Sequence, residues 1–381
     1  MSTVVPSSAA NRVHLRVAMV VEQLWQSVPG GSGTYISNLA RALVNDTVPL
    51  VGLTARHRGG CDDDIDLPSI PLRQFPLPRP LLYETWNRWQ WPSVESILRD
   101  SDVVHATTWA IPPTRCPMVV TIHDLAFLRS PEHFTRRGAA FFRRALERTF
   151  TSASGVIVPS RVTADDCIEA GIGSERITVI PHGVDTQHVT SSQQEEFRHI
   201  FGLTRPFIMW AGTREPRKNL PMVLKAFTQL CEDRSFDLDL VLVGPAGWGP
   251  DDAIGELSSL IPPDRLHVLG RLSDECLAVA YQMAEVFVFP SLWEGFGLPV
   301  LEAMAYGTPV VTSAGTSMEE VCGEAGVLID PHDARSLAEG IRQARAEKLD
   351  RASAGLKRAQ MFTWQECARA HEQVYASVGV A

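Results

Sequence analysis

Four apolar residues in a row, Val286-Phe287-Val288-Phe289, stop at Pro290-Ser291 and lead into a loop carrying Gly295 and Gly297. Such a run, with no polar alternation, fits a strand buried on both faces, as in a parallel sheet covered by helices. A helical pattern follows from Leu298, with Pro299 in its first turn, where a missing N–H costs nothing. Gly307 and Pro309 end that helix, and Thr308 to Thr312 reads as the next strand. Strand, glycine loop, helix and strand in that order confine the chain to doubly wound α/β layers.

The pattern repeats on both sides. Strands are predicted at Leu15–Val21, Val48–Thr54, Asp102–His105, Met118–Ile122, Val156–Val158 and Ile177–Ile180, and again at Phe207–Ala211, Asp239–Gly244, Leu266–Leu269 and Gly326–Ile329. At 381 residues the chain is too long for one ordinary core. Two domains are expected: residues 1–190, a linker at 191–205, and residues 206–362. Thr363-Trp364-Gln365-Glu366 is a capping box that opens a terminal helix, 363–381.

Composition removes several function classes. A net charge of −9 argues against a nucleic-acid partner. The seven cysteines include no C-x-x-C pair, so neither zinc nor redox chemistry is suggested, and free thiols fit a cytoplasmic protein. Met1 to Asn11 is small and polar, lacks the features of a signal peptide, and is expected to be disordered. No apolar run reaches the roughly 18 residues needed to span a membrane. Asp62-Asp63-Asp64-Ile65-Asp66 contains Asp-x-Asp but lacks an adjacent strand, and reads as a solvated acidic loop.

Chemistry concentrates where strands meet helices. Around Gly295 and Gly297 the backbone can approach a ligand closely. The free N–H groups opening the helix at Leu298 suit a phosphate. Glu294 and Glu302 bracket that turn, and carboxylates beside an anion site bind hydroxyls of the same ligand. Gly30-Gly31-Ser32-Gly33 reads as a second glycine loop, followed by a helix from Thr34. It is not G-x-G-x-x-G and no acidic residue follows for a ribose, which disfavours a dinucleotide enzyme. Arg217 and Lys218 lie at a strand–helix joint where cations suit a diphosphate. His123 ends a predicted parallel strand, on the ligand side of such a sheet.

Two segments suggest a surface contact. Pro68 to Pro92 is rich in proline and holds Trp86, Trp89 and Trp91 beside Arg79 and Arg88. The helix predicted over Phe134–Phe150 carries Arg136, Arg137, Arg143, Arg144 and Arg148. Tryptophan and arginine suit a lipid headgroup region, and a basic amphipathic helix can lie on an anionic membrane. An ordinary packed connection and a solvated helix face explain the same residues.

Glu294-Gly-Phe-Gly-Leu-Pro-Val-Leu-Glu302 resembles the paired-glutamate signature of retaining nucleotide-sugar glycosyltransferases of family 4, which have the GT-B fold: two Rossmann-like domains facing across a cleft. Thr121-Ile122-His123-Asp124, Pro181-His182-Gly183-Val184-Asp185 and Glu215-Pro216-Arg217-Lys218-Asn219 are similar to further segments of that family. Thr213 stands where the family usually has arginine. The resemblance implies that the second domain binds the donor, the first domain the acceptor, and that the terminal helix crosses back to the first domain. It implies sugar contact for Glu294 and His123, and ribose contact for Glu302. The leaving diphosphate would lie against Arg217, Lys218 and the backbone at Phe296, Gly297 and Leu298. Gly31, Ser32 and Gly33 would flank the phosphates and acceptor, and backbone near Gly270, at Arg271 and Leu272, would read the base.

No metal or bound cofactor is expected beyond the nucleotide sugar. The pattern is most similar to actinobacterial mannosyltransferases using GDP-mannose to build phosphatidylinositol mannosides, which implies a lipid-linked glycan acceptor and peripheral contact with the inner face of the plasma membrane. A UDP- or dTDP-sugar transferase, a GT-B epimerase and a non-catalytic nucleotide-sugar sensor are the alternatives.

Overall fold

The structure, a computed structural model, describes residues 15–45, 48–57, 66–247 and 251–379. Met1–Asn11 and Asp62–Asp64 lie outside the described residues. The first sheet has seven parallel strands: β1 (Val17–Val20), β2 (Leu50–Thr54), β3 (Leu72–Gln74), β4 (Val103–Ala106), β5 (Met118–Thr121), β6 (Gly155–Val158) and β7 (Ile177–Val179), ordered β3-β2-β1-β4-β5-β6-β7. The second has six: β8 (Phe207–Ala211), β9 (Asp239–Val243), β10 (Leu266–Gly270), β11 (Val286–Phe289), β12 (Val310–Ser313) and β13 (Val327–Ile329), ordered β10-β9-β8-β11-β12-β13. In each, the order reverses at the first strand, and the crevice at that reversal is where such sheets bind ligands.

The helices of the first half are α1 (Gly30–Asn45), α2 (Arg79–Trp89), α3 (Ala126–Arg129), α4 (Arg136–Ser152) and α5 (Arg161–Glu169). Those of the second are α6 (Ser191–Phe201), α7 (Leu220–Cys231), α8 (Asp251–Ser259), α9 (Asp274–Met283), α10 (Leu298–Ala305), α11 (Ser317–Cys322), α12 (Ala334–Ala346), α13 (Lys348–Ala359) and α14 (Trp364–Gly379). The fully buried patterns of β1, β8 and β11 explain their unbroken apolar runs, and β4, β5, β6, β9 and β12 are buried along their whole length as well.

Two expectations need correction. The glycine run at Gly30–Gly33 is not a loop before a helix at Thr34; α1 begins at Gly30 itself, so these residues form its first turn. Residues 191–205 are not a bare linker. Thr190 and Gln193 form a reciprocal capping box that starts α6, and Phe197 of that helix is buried in the core of the second sheet's domain. Pro68–Pro92 holds β3 and α2, with Trp86 buried and its indole N–H donating to the Pro92 carbonyl at 3.0 Å.

α14 follows the second domain in sequence but packs on α1, β4 and β5 of the first. Trp364, Cys367, Ala368 and Tyr375 join the core made by Val17, Met19, Ile36 and Leu39. Tyr35, His105 and His371 are buried beneath it. Their bonds form a directed chain. His371 Nδ1 faces the Cys367 carbonyl at 2.7 Å, an acceptor only, so that nitrogen carries the proton and Nε2 accepts from the Tyr35 hydroxyl at 2.7 Å. Tyr35 then accepts from Thr121, Thr121 from His105, and His105 from Tyr375.

Candidate active site

The two sheets face each other across a cavity of about 590 Å³ lined from both domains. The first domain contributes Gly31, Ser32, Gly33, His123, Asp124 and His182. The second contributes Arg217, Lys218, Arg271, Leu272, Glu294, Phe296, Gly297, Leu298 and Glu302. Every site residue expected from the sequence therefore lines one cavity.

Two loops of the second domain meet at its centre. Asn219 ends the Pro216–Lys218 turn in the left-handed region at φ 56°, a conformation asparagine tolerates better than most residues. Its side-chain amide donates to the Pro290 and Pro331 carbonyls at 3.0 and 2.7 Å, and Leu292 N donates to the Arg217 carbonyl at 2.8 Å. The turn is thus fastened to the end of β11, just before Glu294.

The result is a compact charge cluster. Glu294 Oε1 lies 3.0 Å from Lys218 Nζ, and Oε2 is ion-paired with Arg217. Arg217 Nε reaches Glu215 at 2.9 Å, its guanidinium covers Trp293, and Lys218 Nζ lies over Phe289. Burial alone would raise Glu294, but Arg217 and Lys218 outweigh it and hold the carboxylate at about 2. Burial lowers Lys218, with Glu294 offsetting part of the loss. Glu294 is therefore a fixed anion between two fixed cations.

Gly297 precedes α10 at φ 104°, and a β-carbon there would meet Met318 at 2.7 Å. Only glycine suits both constraints. The turn leaves the Leu298 N–H at the cavity wall, just ahead of Pro299, while Val300 and Leu301 donate back to the Gly297 carbonyl; the positive end of the helix there favours an anion. One turn on, Glu302 Oε2 accepts from the Tyr281 hydroxyl at 2.8 Å. Burial pushes Glu302 upward, the opposite of Glu294. Two carboxylates in one cavity thus differ in charge preference because Glu294 is ion-paired with both Arg217 and Lys218, whereas Glu302 feels Lys218 only weakly against its burial.

Across the cavity, His123 Nε2 lies 3.0 Å from the Thr107 carbonyl. A carbonyl only accepts, so Nε2 bears the proton and Nδ1 is left as an acceptor for a ligand hydroxyl. Burial lowers His123, so the ring is neutral near pH 7. Gly31 approaches the other domain closely: a β-carbon on it would lie 3.4 Å from Leu298. Arg271 also spans the cleft, 3.4 Å from the Ser27 carbonyl.

Some cavity residues were not singled out from the sequence. His182 and Asp124 sat in segments already noted, and Tyr281 carries no local signal because its role depends on Glu302, 21 residues later. His182 is nearly fully buried among Tyr35, His123, Phe296 and Trp364, and its Nδ1 has no hydrogen-bond partner among the described residues.

A cleft between two parallel-sheet domains, with an anion-binding helix start, a cation pair and two carboxylates, is the site of a GT-B glycosyltransferase. The family described as "Glycosyltransferase Family 4" matches residues 29–188, and that described as "Glycosyl transferases group 1" matches residues 191–360. The chain is 30% identical to the O-antigen chain mannosyltransferase B of Escherichia coli, over 76% of this chain and 78% of that protein. It is 27% identical to the MMP alpha-(1->4)-mannosyltransferase of Mycolicibacterium hassiacum, over 91% of this chain and 94% of the relative. Anabaena HepE, solved in complex with UDP and glucose, aligns with a TM-score of 0.74 at 22% identity, covering 96% of this chain and all of that one. The chain belongs to the group 1 and family 4 glycosyltransferases, and is an enzyme of that class.

Proposed function

We propose that this glycosyltransferase moves mannose from GDP-mannose to a lipid-linked glycan such as a phosphatidylinositol mannoside, with retention of anomeric configuration. The observation that carries the reading is the Arg217–Glu294–Lys218 cluster beside the start of α10, with His123 on the opposite wall. In this reading the diphosphate lies on the backbone at Phe296–Leu298 that opens α10, and on Arg217 and Lys218. Negative charge grows on that leaving group as the glycosidic bond breaks, so groups already fixed in place lower the barrier. Glu294 holds the hexose hydroxyls, Glu302 the ribose, and His123 Nδ1 accepts from a sugar hydroxyl. The acceptor oxygen attacks from the same face, and the departing phosphate takes its proton.

Mannose is favoured by the names of the two relatives, both mannosyltransferases. A lipid acceptor is supported by one face of the first domain. Trp89 and Trp91 are 66% and 56% exposed, and Arg136, Arg137 and Arg143 on the neighbouring α4 are exposed. The other two arginines serve the fold: Arg148 donates to the Trp86 carbonyl and Arg144 faces Glu84. Among the described residues no helix is long and apolar enough to cross a membrane, so such contact would be peripheral.

Thermal shift with a panel of nucleotide sugars tests the donor. A ligand at about a hundred times its dissociation constant stabilises the fold by roughly 2.7 kcal/mol. A rise with GDP-mannose and none with UDP- or dTDP-sugars is expected; the reverse would discard the mannosyl reading.

A further inference from the structure

The loop that carries Glu294 is held from both domains at once. On its own side, the Ser317 hydroxyl donates to the Glu294 carbonyl at 2.7 Å. From the first domain, the Ser160 hydroxyl donates to the next carbonyl, that of Gly295, at 2.7 Å, and the Thr163 hydroxyl donates to the same oxygen at 3.1 Å. Two donors fill both lone pairs of that carbonyl. Ser160 and Thr163 are 2% and 1% exposed, in a protein where such hydroxyls need partners. Ser160 also accepts from Thr163 N at 3.1 Å, capping α5, and its single proton goes to Gly295 at 2.7 Å rather than to the more distant Thr163 Oγ1 at 3.1 Å.

A second tie runs the other way. Glu320, on α11 of the second domain, accepts from Arg161 N at 2.9 Å and Val162 N at 2.8 Å, the first two N–H groups of α5. A carboxylate there also suits the positive end of the helix. The Glu320 backbone is itself fixed, its carbonyl accepting from Arg358 at 2.6 Å. Between these ties the domains touch closely. A β-carbon on Gly295 would lie 1.8 Å from the His123 carbonyl oxygen, so only glycine lets the two site segments meet.

We propose that Ser160, Thr163 and Glu320 form an interdomain clamp that positions Glu294 for catalysis, so that the donor loop is in register only when the cleft is shut. The proposal rests on the glycosyltransferase reading of the site. With the carbonyls of Glu294 and Gly295 both held, the peptide between them is fixed, and with it the direction of the Glu294 side chain. The partners come from different domains, so opening the cleft releases Gly295 and the start of α5 to water. Water replaces these bonds at small net cost, which suits a contact made and broken in each cycle. Ser160, Thr163 and Glu320 are positioning residues: they act through Glu294.

The test uses Thr163→Val, which keeps the shape and removes the hydroxyl, alone and with Glu320→Ala. GDP release from GDP-mannose, GDP affinity and the radius of gyration by small-angle scattering are measured on parent and variants. The double variant is expected to lose roughly tenfold to a hundredfold in kcat, the scale of a misplaced catalytic group. GDP affinity stays within about threefold, because the groups that bind the diphosphate are untouched. Its radius of gyration rises, and Thr163→Ser restores the kcat lost in Thr163→Val. Unchanged kcat, an unchanged radius, or no difference between the serine and valine variants would overturn the clamp. A parent inactive on every nucleotide sugar would overturn the proposed function instead, and the scattering comparison then decides the clamp alone.

Discussion

Oε1 of Glu294 lies 3.0 Å from Nζ of Lys218, in a part of the cleft where Lys218 keeps only 8% of its surface exposed. The same carboxylate pairs with Arg217, which also holds Glu215. Two cations face two anions, so much of the positive charge that a diphosphate would meet is already answered by Glu294.

This gives a prediction with opposite signs in two measurements. Glu294→Gln removes a negative charge beside the diphosphate position, so GDP affinity should hold or tighten. Turnover should fall on the order of a hundredfold or more, the scale for losing a preorganised electrostatic contact. Titration calorimetry and nucleotide release read the two effects. Weaker GDP binding with normal turnover would contradict the assignment.

Glu302 should behave differently. Burial raises it and the Tyr281 hydroxyl is its hydrogen-bond donor, so its charge is a burden on the folded protein. A carboxyl raised on folding contributes stability below its unfolded pKa and loses it as pH rises through the folded value. Glu302→Gln is therefore expected to raise Tm at pH 8 and to weaken nucleotide affinity about tenfold, the loss of about one charge-assisted hydrogen bond. A lower Tm at that pH would argue against a strained carboxylate.

The buried histidines set the acid limb. Burial lowers His105, His182 and His371, the last to about 4. Unfolded histidine titrates near 6.5, so between about 6.5 and 4 the unfolded chain binds more protons and stability falls as pH drops. Glu294, held at about 2, adds a further loss as pH falls below its ordinary range of about 4.5. Urea midpoints from pH 7 to pH 4 should fall steadily. His371→Ala should flatten that slope and cost about 1–3 kcal/mol at pH 7 by leaving the Tyr35 hydroxyl without its acceptor.

The lipid reading has its own test. The parent should bind vesicles containing phosphatidylinositol at low salt and release them as salt rises, because screening weakens exposed charges. Trp89→Ala with Trp91→Ala should weaken binding several-fold while leaving Tm nearly unchanged, since both rings are largely exposed. Equal binding of neutral and anionic vesicles would count against it.

The strands were legible because burial on both faces writes itself as an unbroken apolar run: Phe207–Ala211 and Val286–Phe289 match their predicted bounds. The site turn was legible because Gly297 and Pro299 answer local backbone demands, whereas the need for glycine at 295 comes from the His123 carbonyl of the other domain. Other features depend on distant partners. α6 is polar and anchored chiefly by Phe197, so its apolar signal is faint, although Thr190 and Gln193 offered a cap. α2 was masked by the prolines around it. The pairing of Arg217 and Lys218 with Glu294, and the chain from Tyr375 to His371, join residues that only the fold brings together. Ser160 was recognisable as a helix cap, but not as a donor to Gly295.

The most direct test is transfer itself. Purified protein is given GDP-mannose and a phosphatidylinositol mannoside in detergent micelles, with nucleotide release followed by chromatography and the product's new anomeric proton by NMR. The account predicts GDP release matched by an α-linked mannosyl lipid, and neither product from Glu294→Gln. GDP-mannose that binds but is never consumed with any glycan or lipid acceptor, or a β-linked product, would contradict it.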